Sequence, residues 1–255
     1  MNYKIHKKEN VYFALRVFFT LLFWWGVFSF GGLIGQNAVA AMSGIVIVLT
    51  YGAMIALFIF FQKIFLIAHM KGQGICLSER QFPEVYRQYV EMATQLGVKK
   101  IPPCFILQQG GALNAFAIRF SRKNYIAVYT DIFSVYESDR DALAFVLAHE
   151  LGHVKRHHAI KNFWTLPSLV VPFLGAAHSR ACEYTCDNIG AALTGTGKTN
   201  GLVLLAGGTA LYDKINIESY LESARENKTS AVKFAGLFMS HPYLPSRIEN
   251  VSAQQ

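Results

Sequence analysis

The chain has 255 residues, of which 53% are hydrophobic, and its formal net charge at pH 7 is +8. A positive charge of this kind suits a domain lying against an anionic membrane surface. It does not indicate a nucleic-acid partner, because no basic run is interleaved with aromatic side chains that could stack on bases. The 4 cysteines form no C-x-x-C pair and are predicted to be free thiols, which is typical of a reducing compartment.

The N-terminal part of the chain is predicted to cross a membrane twice. No Asp, Glu, Lys or Arg occurs between Val17 and Gln62, a stretch too long for one bilayer crossing and long enough for two. The first helix is expected at 11–33 and the second at 41–61, with further turns up to residue 68. The turn between the two helices is marked by Gly31, Gly32, Gln36 and Asn37.

Basic residues flank the two spans on one side of the membrane. They are Lys4, Lys7, Lys8 and Arg16 before the first span, and Lys63, Lys71 and Arg80 after the second. The uncharged turn then lies outside, so both ends are expected in the cytoplasm, and the chain is expected to be an integral protein of the cell (inner) membrane. Arg16 is expected to snorkel towards the interface. A cleaved signal peptide is the competing interpretation, because the segment 38–40 resembles a cleavage site.

Residues 1–70 are therefore interpreted as a membrane anchor, and residues 71–255 as one catalytic domain. Apolar residues on one helical face predict a helix at 82–97. Three short β-rich segments follow, divided by Gly110, Gly111 and the run 121–123, and they are expected to form a small antiparallel sheet at 104–108, 112–120 and 124–129. The expected fold class is α+β and mainly helical, anchored by two transmembrane helices.

The second of these strands is a candidate site for peptide binding. Its residues Asn114, Ala115, Phe116 and Ala117 could form a sheet edge that holds a substrate backbone by main-chain hydrogen bonds. A strand with no role in substrate binding is an equally good interpretation of these residues.

The candidate catalytic residues lie in the run His149-Glu150-Leu151-Gly152-His153. It follows Ser138 and an acidic first turn that predict a helix start with Ser138 as the capping residue. On a helix, His149 and His153 share one face and can bind one zinc ion. Glu150 can then take a proton from a water in the open coordination position as that water attacks a peptide carbonyl.

A third protein ligand is required for catalytic zinc. The longer all-histidine pattern would need histidine at position 159, which is Ala159, so an acidic ligand from a later helix is expected. Glu183 is the best candidate, and Asp187, one turn further on, could hold the outer nitrogen of a ligand histidine. Less favoured alternatives are a further ligand at His157 or His158 and a soft thiolate ligand, Cys182 or Cys186.

The uncharged segment 163–179 is short for a spanning helix and contains two prolines. It is predicted to be either a membrane-dipping hairpin or a buried irregular segment.

Together these features resemble the HtpX-like membrane zinc metalloproteases, gluzincins related to the CAAX prenyl proteases. The resemblance is carried by the two N-terminal spans, Asn114 to Ala117, the His149 motif, the segment from Glu183 to Asp187, and the later His241-Pro242 with Arg247. It implies a zincin-like domain that binds one zinc ion through His149, His153 and Glu183. It also implies that Glu150 is the base, that His241 or Arg247 steadies the oxyanion, and that Asn114 to Ala117 line the substrate cleft.

The expected function is a zinc-dependent endopeptidase that cleaves membrane-associated or misfolded polypeptides, with the lipid bilayer as a second partner. The alternative is a membrane-anchored zinc-binding scaffold without turnover. A transporter is not indicated, because the spans lack the charged residues that mark ion paths. The sequence assigns no oligomeric state.

Overall fold

The computed structural model describes residues 3–33, 38–108, 114–195 and 198–253. The helices are α1 (Lys7–Leu33), α2 (Ala38–Gln73), α3 (Pro83–Gln95), α4 (Thr130–Phe133), α5 (Arg140–Lys155), α6 (His158–Trp164), α7 (Leu174–Thr194), α8 (Lys198–Gly207), α9 (Ile217–Glu226), α10 (Ser230–Phe238) and α11 (Leu244–Ser252). The strands are β1 (Ile75–Cys76), β2 (Cys104–Leu107), β3 (Ala115–Phe120) and β4 (Lys123–Tyr129). The expected mainly helical α+β fold with two long N-terminal helices is confirmed.

Within the described residues, α1 and α2 are long and apolar enough to cross a bilayer. Most large apolar side chains of α2 are exposed, as expected of a helix whose surroundings are lipid. The expectation that Gly31 and Gly32 belong to the turn is wrong, because α1 continues to Leu33, and the expected turn residues Gln36 and Asn37 lie outside the described residues.

The sheet is mixed, so the expectation of an antiparallel sheet is wrong. Its strand order is β1-β2-β4-β3, with β2 and β4 parallel and the other neighbours antiparallel. Both β2 and the centre of β4 are continuous buried apolar runs, the pattern of paired central strands. A two-residue turn with positive φ at Ser121 and Arg122 joins β3 to β4, which leaves β3 at the sheet edge. The expected break at Gly110 and Gly111 lies outside the described residues.

The main core lies between the sheet, α3 and α5. Helix α3 contributes the apolar face predicted from its sequence, including Val85, Tyr89 and Met92. Helix α5 is buried along most of its length, and Asp139 caps it by accepting a hydrogen bond from the backbone N–H of Ala142. The expectation that Ser138 is the cap is therefore wrong by one residue, because the helix begins at Arg140 and the carboxylate of Asp139 reaches the free N–H.

The segment after α6 is a 3-10 turn, Leu166–Val170, that leads into α7, with Ser168 buried and its larger apolar side chains exposed. Trp164, Leu169 and Val170 are exposed, so the buried alternative for this apolar segment is wrong. Val170 lies in a groove beside Phe19 and Phe23 of α1. The segment therefore runs along α1.

Candidate active site

Two helices bring the proposed metal ligands together. Helix α5 carries His149 and His153, whose Nε2 atoms are 3.2 Å apart, and α7 carries Glu183. One oxygen of Glu183 lies 3.4 Å from Nε2 of His149, and the other lies 3.3 Å from Nε2 of His153. The helices approach closely at Gly152, where a Cβ atom would lie 3.3 Å from the Cα of Cys186. A larger residue at Gly152 would therefore push Glu183 away from the histidines.

The donor set fits zinc. Tetrahedral zinc with ligand bonds of ~2.0–2.1 Å separates neighbouring ligand atoms by about 3.3 Å. The two imidazole nitrogens are 3.2 Å apart, and each has one of the two oxygens of Glu183 at a similar distance, 3.4 Å for His149 and 3.3 Å for His153. Two nitrogens and one carboxylate oxygen are also the ligand types of a catalytic zinc site that keeps one position open.

Cys186 is the competing ligand, because its sulfur lies within 4.8 Å of donor atoms of His149 and His153. Burial raises the pKa of its thiol well above the usual value. Burial also opposes ionisation of Glu183, but its contacts with the imidazoles of His149 and His153 hold the pKa of this carboxyl well below its ordinary value. The carboxylate of Glu183 lies 3.4 and 3.3 Å from the two imidazole nitrogens, so it is the better placed ligand.

Asp187 holds the outer ring nitrogen of His149, and Arg247 in turn holds Asp187. The Nδ1 atom of His149 lies 2.9 Å from Oδ1 of Asp187, so Nδ1 carries the proton and Nε2 is left for a metal. Nη2 and Nε of Arg247 donate to the two oxygens of Asp187 at 2.7 and 2.8 Å. Burial opposes ionisation of Asp187, but the guanidinium of Arg247 lowers the pKa of this carboxyl.

The side chains of Glu150 and His241 face the same cavity, which has a volume of about 210 Å³. Burial raises the pKa of Glu150, and a carboxylate with a raised pKa is better matched to accepting a proton near neutral pH. His241 is exposed, and its Nε2 lies 3.6 Å from Glu183. Arg247 also borders the cavity, but its nitrogens are engaged by Asp187 and Glu183.

The opposite wall of this cavity is the sheet edge predicted from the sequence. Asn114, Ala115, Phe116 and Ala117 all line it. Because β3 pairs only with β4 among the described strands, its other edge can accept an added strand.

Sequence reasoning missed a second group of buried polar residues behind His153. Nδ1 of His158 lies 3.0 Å from Nδ1 of His153, and Nε2 of His158 lies 3.3 Å from Oε1 of Glu9. Arg16 is buried and bonds to Ser168, so the expectation that it snorkels is wrong. The sequence contained a sign of this group, because Glu9 and Arg16 lie seven residues apart on one face of a helix that is apolar enough to span a membrane, and charged residues in such helices usually have a partner.

Comparison with known proteins identifies the family of this chain. Residues 79–171 and 165–255 match the model of Peptidase family M48, which is more than half of the chain. The chain belongs to peptidase family M48. The expected relationship to the HtpX-like metalloproteases is thereby confirmed.

A curated relative is the plastoglobule-localized metallopeptidase 48, chloroplastic, of Arabidopsis thaliana, which is 30% identical to this M48 member over 173 residues. The alignment covers 60% of this chain and 49% of the relative, so the chain spans about half the length of the curated relative that it matches. No solved structure matches the chain.

Proposed function

We propose that this M48 peptidase is a membrane-anchored zinc endopeptidase that hydrolyses internal peptide bonds of membrane-associated or misfolded polypeptides. The observation that carries the proposal is the convergence of the two imidazoles of His149 and His153 with the carboxylate of Glu183, at the same cavity that Glu150 borders. A structural zinc site is usually closed by four protein ligands, so three ligands beside a cavity favour turnover over a scaffold role.

Each polar residue of the cavity has a distinct role in this proposal. Zn²⁺, when bound, supplies positive charge that acidifies a water molecule and polarises a carbonyl oxygen. Glu150 accepts the proton of the attacking water and later delivers it to the leaving amine. His241 is the exposed donor best placed to stabilise the oxyanion, because its imidazole borders the cavity. Arg247 is a positioning residue, since its nitrogens contact Asp187 and Glu183.

The substrate backbone is proposed to lie along β3 as an added strand. The main-chain groups of Asn114 to Ala117 would hold it without regard to its side chains, as suits an enzyme that cuts many unfolded polypeptides. Phe116, Phe145, Val146 and Leu205 give the cavity an apolar part, so an apolar side chain next to the cleaved bond is favoured.

Hydrolysis of casein by the full-length chain tests this function. Mass spectrometry of the products should show internal fragments, and chelation should abolish their formation until zinc is restored. Release of single terminal amino acids alone would contradict an endopeptidase.

The anchor is proposed to place the protease domain on the cytoplasmic face of the cell membrane. Cys76 allows a direct test, because it is exposed and follows α2 closely, whereas Cys104, Cys182 and Cys186 are buried. A membrane-impermeant maleimide should label the chain in inside-out vesicles and not in intact cells. The variant Cys76→Ser should abolish this labelling, and labelling of intact cells would place the domain on the other side.

The exposed apolar segment beside α1 is proposed to enter the bilayer, together with α10. Trp164 is 71% exposed, and Phe173 packs on Phe238 of α10 at a ring distance of 4.9 Å. Apolar side chains of this kind stay exposed at low energetic cost when lipid covers them.

The variant Trp24→Phe/Trp25→Phe leaves Trp164 as the single tryptophan of the chain. In vesicles of brominated lipid its fluorescence should be strongly quenched, and aqueous iodide should quench it weakly. Strong quenching by iodide with none by the brominated lipid would show that the segment stays in water.

A further inference from the structure

The first membrane helix inserts a carboxylate into the protease domain. Glu9 of α1 is fully buried, and its Oε1 accepts hydrogen bonds from Nη2 of Arg156 at 2.8 Å and Nζ of Lys161 at 3.1 Å. Nε2 of His158 lies 3.3 Å from the same oxygen. Because the two cations compensate the charge of Glu9, the carboxylate can remain ionised at this depth.

The positions of the ring protons on His153 and His158 follow from the atoms that face the nitrogens of His153. Its Nε2 faces His149 and Glu183, so Nε2 is the atom available to a metal and Nδ1 carries the proton. That proton points to Nδ1 of His158 at 3.0 Å, which must then be an acceptor. A neutral imidazole has one proton, so His158 carries it on Nε2 and donates it to Glu9.

Burial supports this arrangement of His158. The side chain is buried, so both of its ring nitrogens need partners within the protein. A neutral ring can accept at Nδ1 and donate at Nε2 at the same time.

We propose that Glu9 and His158 are positioning residues of the metal site, forming a hydrogen-bonded relay from the first membrane helix through His158 to the ligand His153. The relay parallels the support of His149, whose outer nitrogen is held directly by Asp187 of α7. Each ligand histidine is thus held by a carboxylate, either directly or through another histidine. One of these two carboxylates, that of Glu9, belongs to the membrane anchor. The metal site is therefore complete only when α1 is docked on the protease domain.

The inference rests on the proposed zinc ligation by His153, and the two can fail separately. Zinc binding by the wild-type chain tests the ligation, whereas differences between variants test the relay. Loss of a group that orients a ligand histidine usually weakens metal affinity about 10–100-fold. All measurements use the full-length chain in detergent.

Glu9→Gln removes the charge at the end of the relay and is the first variant. Its matched control is Arg16→Gln, which breaks another buried polar contact of α1. Arg16 bonds to Ser168, Asn162 and His178 and makes no contact with His153 among the described residues. Zinc affinity is measured by competition with a chelator, and ligand geometry by the visible absorption of the cobalt-substituted chain.

Glu9→Gln is expected to weaken zinc binding about 10–100-fold and to change the cobalt spectrum, while Arg16→Gln changes neither. Equal weakening in both variants would mean that α1 acts only by docking, and would overturn the relay. Wild-type affinity in Glu9→Gln would overturn it as well.

A second pair of variants decides the matter if Glu9→Gln does not fold. His158→Leu removes the acceptor for Nδ1 of His153, whereas His158→Gln keeps an amide oxygen that can accept this proton. Zinc affinity should fall in His158→Leu and be largely restored in His158→Gln. An unchanged affinity in His158→Leu, or an equal loss in both variants, would contradict the relay.

Discussion

Replacing Glu150 with glutamine is expected to lower kcat/KM for casein by about two to four powers of ten, because general base catalysis contributes roughly that much. The loss corresponds to about 3–5 kcal/mol of transition-state stabilisation. Glutamine has nearly the same size and keeps an acceptor oxygen, but it cannot take a proton from water. Because Glu150 is not one of the three proposed ligands, bound zinc should stay near one ion per chain.

The control for this variant is Glu222→Gln, the same change at an exposed position of α9. It should leave both activity and zinc content unchanged. If Glu150→Gln retained full activity with zinc bound, Glu150 would not be the base.

Glu183→Ala is expected to lose its zinc on dialysis against a weak chelator, and with it all proteolysis. Two histidines would remain, and two protein ligands are too few for a catalytic zinc site. The affinity should fall by more than about 100-fold, which exceeds the usual effect of losing a group that only orients a ligand. Metal content per chain and the zinc dissociation constant measure the loss.

The comparison variant is Cys186→Ala, which removes the competing sulfur one turn along α7 from Glu183. If the carboxylate is the third ligand, Cys186→Ala keeps its zinc and its activity. Stoichiometric zinc in Glu183→Ala together with zinc loss in Cys186→Ala would reverse the assignment.

The sequence was most informative where a few neighbouring residues determine the structure. The spacing of His149 and His153 defines one helical face, and the apolar surroundings of the motif predict a buried helix. The charge-free stretch before Gln62 similarly predicts two long apolar helices. Because position 159 is alanine, an acidic third ligand was expected, and Glu183 was the best candidate before the family resemblance implied the same residue.

The strand order and the contact between Glu9 and His158 could not be predicted from the sequence, because both depend on segments that are far apart in the chain. The order β1-β2-β4-β3 pairs strands that are not consecutive, and short apolar strands carry no mark of their partners. Glu9 precedes His158 by 149 residues, and only the docking of α1 on the protease domain brings them together. Charged residues at the start of a membrane helix are usually read as topology signals, which obscured the role of Glu9 and Arg16.

The central claim is that two imidazoles and the carboxylate of Glu183 bind one zinc ion and leave a position open. X-ray absorption at the zinc edge of the purified full-length chain tests it most directly. The account predicts nitrogen and oxygen neighbours alone, at about 2.0–2.1 Å, with two of them imidazoles. A sulfur neighbour at about 2.3 Å would contradict it, because that distance identifies a cysteine ligand in place of Glu183.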